Sequence, residues 1–140
     1  MIQILQQMKG WGNIVYALLA AIAVKVFWYS DSMLGRRMQR YTGYSRQDTV
    51  EMRLAIYIVL VFFEAIWATL LYAVIQVSGI HSLWKGMLLG VIFFFCLAAP
   101  LGVLYSFQLR KPGILLIHAG YLLLVSVVMS GVLAVMEQNG

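Results

Sequence analysis

Residues 27–48 read FWYSDSMLGRRMQRYTGYSRQD, and they stand apart from the chain around them. The 140-residue chain is 63% hydrophobic and 11% charged, yet the segment from Trp28 to Arg53 holds eight of its fifteen Asp, Glu, Lys and Arg residues. A mean hydropathy of +0.88 is more than a soluble domain carries, because a globular surface needs polar cover. The apolar runs on either side of this polar island are long enough to cross a bilayer. The island therefore reads as a loop between spans of an integral membrane protein.

Working outward, apolar runs cover about 13–29, 54–77, 84–107 and 113–136. Each offers roughly 17 to 24 residues, enough at ~1.5 Å per residue to cross a ~30 Å hydrocarbon core. Lipid gives backbone groups no hydrogen-bond partners, so the spans must be helices. The expected fold is all-α: one four-helix transmembrane bundle over residues 1–140. Ala21-Ile22-Ala23 resembles a signal-peptide cleavage site. The leading segment is long and carries a single lysine, so the first span is expected to stay as an anchor. Ile2, Leu5 and Met8, spaced by three, suggest a short interfacial helix ahead of it.

The basic residues set a direction. Arg36, Arg37, Arg40, Arg46 and Arg53 lie in the first loop, and Arg110 and Lys111 in the third, against Lys9 and Lys85 on the other side. The positive-inside rule places loops 30–53 and 108–112 in the cytoplasm and both termini outside. The net charge of +5 thus belongs to a membrane surface, and no nucleic-acid partner is expected. Within the island, Ser30, Asp31 and Ser32 are good N-caps. Leu34, Met38 and Tyr41 follow at helical spacing, with Arg36, Arg37 and Arg40 around the other side. This is a short amphipathic interfacial helix after the first span, with Trp28 and Tyr29 at the headgroup belt. Arg36, Arg37, Arg40, Trp28 and Tyr29 form a candidate cytoplasmic surface for lipid or a partner.

Trp28-Tyr29-Ser30 followed by Leu34-Gly35-Arg36 resembles the signature that ends the first helix of a small bacterial membrane family, domain of unknown function 1761. The likeness continues in Gly90, Ala99-Pro100, the basic residue with Pro112, and Ala119-Gly120-Tyr121. Before that last triplet the family is expected to carry an acidic residue; this chain has His118. The resemblance implies a four-helix membrane fold in a bacterial inner membrane, and no known activity.

Ionisable groups inside a membrane are costly, ~2.5–3.5 kcal/mol each at the centre, and mark candidate sites. Here they are Lys25, Glu64 and His118, at depths of ~6, ~15 and ~8 Å from the expected cytoplasmic face. Pro100, which should kink the third span, lies ~10 Å from the same face. Two readings stand open. In one, Glu64 is protonated, or paired with Lys25 or His118, and holds helices together, while Lys25 can snorkel. In the other, a cytoplasm-open cavity is lined by Glu64, His118, Tyr57, Trp67 and Tyr121, with Pro100 as hinge. His118 is the one intramembrane residue able to ligate a haem or pigment. Without a second histidine at matching depth no cofactor is expected. His81 reads as a solvated loop residue.

Small residues recur every four: Ser126, Ser130 and Ala134; Gly86 and Gly90; Ala98 and Gly102; Ala17 and Ala21. They mark close helix contacts, within the bundle or with another subunit. Cys96 reads as a small core residue, and a lone cysteine excludes an internal disulfide. No phosphate loop, nucleophile triad or paired metal ligands are found, so no catalytic residue and no metal site is expected. The leading expectation is a non-enzymatic accessory or scaffolding subunit, bound to lipids, other membrane proteins or its own copies. The alternative is a small proton-linked transporter or binding protein for an amphipathic molecule, using Glu64.

Overall fold

The computed structural model describes residues 2–30, 32–43, 53–108 and 111–139. Of the residues named above, Asp31, Arg46 and Arg110 lie outside these, as do the side chains of Ile2, Leu5, Met8, Lys9 and Arg53. The described residues form α1 (Ile2–Trp28), α2 (Gly35–Thr42), α3 (Arg53–Ser78), α4 (Leu83–Phe107) and α5 (Pro112–Gln138). All but α2 are long and apolar enough to cross a membrane, and no strand occurs among the described residues. The chain is a membrane protein built as a helical bundle. Its four long helices have 25 to 27 residues, so at ~1.5 Å each they overreach a ~30 Å core and carry their ends into the headgroups. The separate interfacial helix expected before the first span is absent: α1 is continuous from Ile2.

The breaks between helices follow from glycine and proline. Gly79 sits at φ 60° past the end of α3, where a side chain would be strained. Its N–H reaches Gln76 O, and Ile80 N–H reaches Ile75 O at 3.2 Å, a Schellman ending whose Ile80 packs back on the core. Pro112 opens α5 at its first turn, where a missing N–H costs nothing. The capping expected of Ser30 and Ser32 is not made, since α2 starts later, after Leu34, with no side-chain cap. Ser30 instead donates back to Phe27 O and contacts Ser32 Oγ.

Helix α5 is the hub, packed against α1, α2, α3 and α4. Ala17 and Ala21 of α1, Ala68, Leu71 and Ile75 of α3, and Val125, Met129 and Leu133 of α5 form a core almost without exposed area. The two alanines let α1 approach closely, which lipid-embedded helices need because van der Waals contact drives their association. Helix α4 lies outside this trio, packed chiefly on α5. Only 6% of its apolar stretch is buried, against 39% of α5.

The α4–α5 contact is made by the small residues. A side-chain carbon on Gly86 would lie 2.5 Å from Ala134 Cβ, and one on Gly90 would meet Ser130 Oγ and Ser126 O. Ser126 and Ser130 donate to Leu122 O and Ser126 O of their own helix, at 2.6 and 2.7 Å. They therefore present small, satisfied surfaces and do not reach across to α4. This stripe serves the bundle's own packing. The Ala98 and Gly102 pair is not used in the same way, since nothing lies within 4 Å of a carbon added at Gly102.

Candidate functional site

Where α1, α3 and α5 meet at the end of the core nearest α2, the buried polar residues converge. Lys25 Nζ lies 2.8 Å from Glu64 Oε1, and both side chains are more than nine-tenths buried. Lys25 is thus turned into the bundle, not snorkelled to the surface. Tyr121 of α5 donates its hydroxyl to the same Oε1 at 2.5 Å. One carboxylate oxygen therefore receives both partners. The other, Glu64 Oε2, is buried with no hydrogen-bond partner among the described residues, as is Trp67 Nε1 one turn along α3. Lys25 Nζ, with three donors, meets that single oxygen as an ion-pair contact and makes no hydrogen bond among the described residues.

His118 does not join Glu64. Its Nδ1 lies 2.7 Å from the Tyr29 hydroxyl. The Tyr29 ring also packs at 5.4 Å on Tyr121, and Tyr105 of α4 packs edge-on against His118 at 6.1 Å. Rings and hydroxyls thus run from the α2 end of the bundle, through Tyr29 and Tyr121, to Glu64.

Trp28 and Tyr29 correct the expectation of a surface belt. Both turn towards α5: the Trp28 indole donates to Ile117 O at 3.0 Å, and its ring lies over Gly120, where an added carbon would come within 2.7 Å. The tryptophan of one half of the chain fits the glycine of the other. Gly35 permits the tuck that follows, since a side chain there would meet Tyr29 O at 2.6 Å. Arg36, Arg37 and Arg40 are exposed on α2, while Tyr41 packs on Gly113 at the start of α5. Trp28→Phe removes one interhelical hydrogen bond and keeps a ring over Gly120. It should lower stability by ~0.6–2 kcal/mol, read from thermal unfolding in mild detergent; an unchanged midpoint would mean the bond does not hold α1 to α5.

Other expected members fall elsewhere. Pro100 is exposed on α4, a helix with no burial near Lys25 or Glu64 among the described contacts. The α4 residues that pack against the core are Leu89 and Phe93, nearer its start than Pro100. Tyr57, two helical turns before Glu64, is 47% exposed, because the face of α3 that holds Glu64 leaves the bundle there. Trp67 packs against the core. Cys96 is exposed on α4, not buried. His81 is exposed in the turn before α4.

A second polar cluster was not foreseen. At the opposite end of the same three helices, Asn13 Nδ2 donates to Glu137 Oε1 at 3.1 Å. Tyr72 lies beside Glu137, and Gln76 Nε2 donates to the Tyr72 hydroxyl at 2.9 Å. Asn13 and Glu137 sit at the ends of apolar runs, where polar residues ordinarily mark only a span boundary. Their pairing shows only once α1 and α5 are brought side by side.

No group of three or more His, Cys, Asp or Glu residues able to hold a metal ion occurs among the described residues. No curated protein and no solved structure matches the chain. A family model matches residues 13–134, which takes in both polar clusters except Glu137. The chain belongs to the family described as Protein of unknown function (DUF1761).

Proposed function

We propose that this chain is a non-enzymatic, proton-linked transport or binding protein of a bacterial inner membrane, with Glu64 as its titrating group. The observation that carries this reading is the lopsided carboxylate. Oε1 is held by Lys25 and Tyr121, while buried Oε2 has no partner among the described residues. A proton arriving on Oε2 neutralises Glu64 without displacing Tyr121. It also leaves the Lys25 ammonium facing a neutral partner in a dry core, a state of different energy. Charge at this pair is thereby coupled to the fit of α1 against α3. Tyr121, Tyr29 and His118 line the approach from the α2 face. By the positive-inside rule that face is cytoplasmic, which fits exposed Arg36, Arg37 and Arg40 beside anionic lipid.

The test is proton entry into dye-loaded proteoliposomes under an imposed potential. Glu64→Gln should fall to the rate of empty liposomes while it keeps its helix content, with a thermal midpoint lowered by the Lys25 ammonium left without a counter-charge. A Glu64→Gln protein that loses its fold would instead support a purely structural pair.

The accessory-subunit reading is favoured by one observation of its own, the bare outer face of α4 with Trp84, Leu88, Ile92 and Phe95 exposed. Of the small-residue stripes, Gly86 and Gly90 with Ser126, Ser130 and Ala134 are taken up within the bundle, and Gly102 is left open. Native mass spectrometry from gently extracted membranes separates the two. A fixed increment from another polypeptide supports the accessory role; a monomer or homo-oligomer supports the carrier.

A further inference from the structure

The two polar clusters occupy opposite ends of one buried column. From Lys25 back to Asn13 is ~18 Å along α1, and from Tyr121 on to Glu137 ~24 Å along α5, at ~1.5 Å per residue. Between them lie Ala17, Ala21, Ala68, Leu71, Val125, Met129 and Leu133, none more than 1% exposed. Ser126 and Ser130, the hydroxyls at this level of α5, face α4 and donate within their own helix. The column therefore offers a proton no acceptor between its ends.

The far cluster, like the near one, draws on all three helices: a carboxyl of α5 bonded by a side chain of α1, with polar groups of α3 beside it. Asn13 from α1 is 8% exposed and fixes Glu137 Oε1. Tyr72 from α3 lies beside the same carboxyl and accepts from Gln76 Nε2. Gln76 is exposed and Glu137 half-buried, so this cluster is wetted from the face opposite α2. From α4, Lys85 is exposed at that same end of the bundle. At the near cluster the groups facing Glu64 are Lys25 from α1 and Tyr121 from α5.

We infer that Glu137, held by Asn13, is a second proton-binding station, open to the face opposite α2, and that the apolar layer keeps the two carboxyls answerable to opposite sides of the membrane. This inference rests on Glu64 being the titrating group of the first station. It adds the proton's other terminus and the barrier between the two. Net transfer then requires α1, α3 and α5 to part at Leu71 and Met129, because each station is sealed from the other in the arrangement described.

Carboxyl infrared difference spectra, recorded on the full-length chain in vesicles of known sidedness with pH stepped on one side at a time, test this. Two carboxyl signals are expected. The one removed by Glu64→Gln should answer to pH on the α2 side, and the one removed by Glu137→Gln to pH on the other. Asn13→Ala keeps Glu137 and removes its donor, so it should displace the second signal and leave the first in place. That variant also covers the case in which Glu137→Gln fails to fold. If Glu137→Gln or Asn13→Ala leaves the second signal unaltered, or if both signals answer to one side, the inference falls while the Glu64 signal upholds the first station. A missing Glu64 signal in the parent protein would overturn the proposed function itself.

Discussion

Lys25→Met is expected to lower the stability of the bundle by about 3–5 kcal/mol, and adding Glu64→Leu to recover most of the loss. Removing the lysine alone leaves a buried carboxylate whose remaining partner is the Tyr121 hydroxyl, a charge without its counter-ion in a dry core. Removing both exchanges a desolvated ion pair for apolar volume, an exchange that is often neutral or stabilising. The four members of the cycle, unfolded thermally in mild detergent, give the coupling directly. A residual deficit of ~1 kcal/mol is expected from the Tyr121 hydroxyl left without an acceptor, and Tyr121→Phe in the double variant should remove it. The double variant separates structure from function: folded, yet without proton entry. If it is as unstable as the two single variants summed, the pair is not the unit described here.

Gly90→Ala should be the second large effect, and its sign is informative. In a helix, exchanging glycine for alanine ordinarily gains ~1 kcal/mol. At Gly90 the added carbon meets the Ser130 hydroxyl, Ser126 O at 2.5 Å and Val127 Cα at 2.7 Å, and two of these are backbone atoms that cannot swing away. Overpacking of that kind costs ~1–3 kcal/mol or more and outweighs the gain. Relieving the clash means shifting α4 along α5, which also disturbs the seat of Gly86 on Ala134. Gly102→Ala, on the same helix with nothing within 4 Å, should be neutral or stabilised by up to ~1 kcal/mol. Equal thermal midpoints for the two variants would mean that α4 is not seated through Gly90.

The spans could be read from the sequence because hydropathy is a property of a segment, summed over many residues. Lys25 and Glu64 could be picked out because charges are rare at that depth. What the sequence withheld is direction around each helix. Trp28 and Tyr29 sit where belt aromatics sit along the helix axis, and the axis alone does not tell a ring turned to lipid from one turned to Gly120. Pro100 has the same depth as the polar residues but lies on a helix packed behind α5. His118 was placed among the ionisable groups, yet its partner is Tyr29, which counts as an interface residue on hydropathy alone. The Asn13–Glu137 bond joins residues 124 apart. Nothing local to either one records it.

The hub position of α5 has a consequence for how the protein is made. It is the last of the four spans to be synthesised, yet it touches every other helix and supplies Tyr121, Gly120, Ser130 and Glu137. At ~5–20 residues per second the ribosome needs roughly one to five seconds to deliver its 27 residues after α4 is finished. Through that interval Gly86 and Gly90 have no surface to seat on, and Lys25 and Glu64 have each other but neither Tyr121 nor the Val125–Met129 cover. The membrane insertion machinery thus holds three spans that cannot close on themselves. The bundle closes only with the arrival of the fourth.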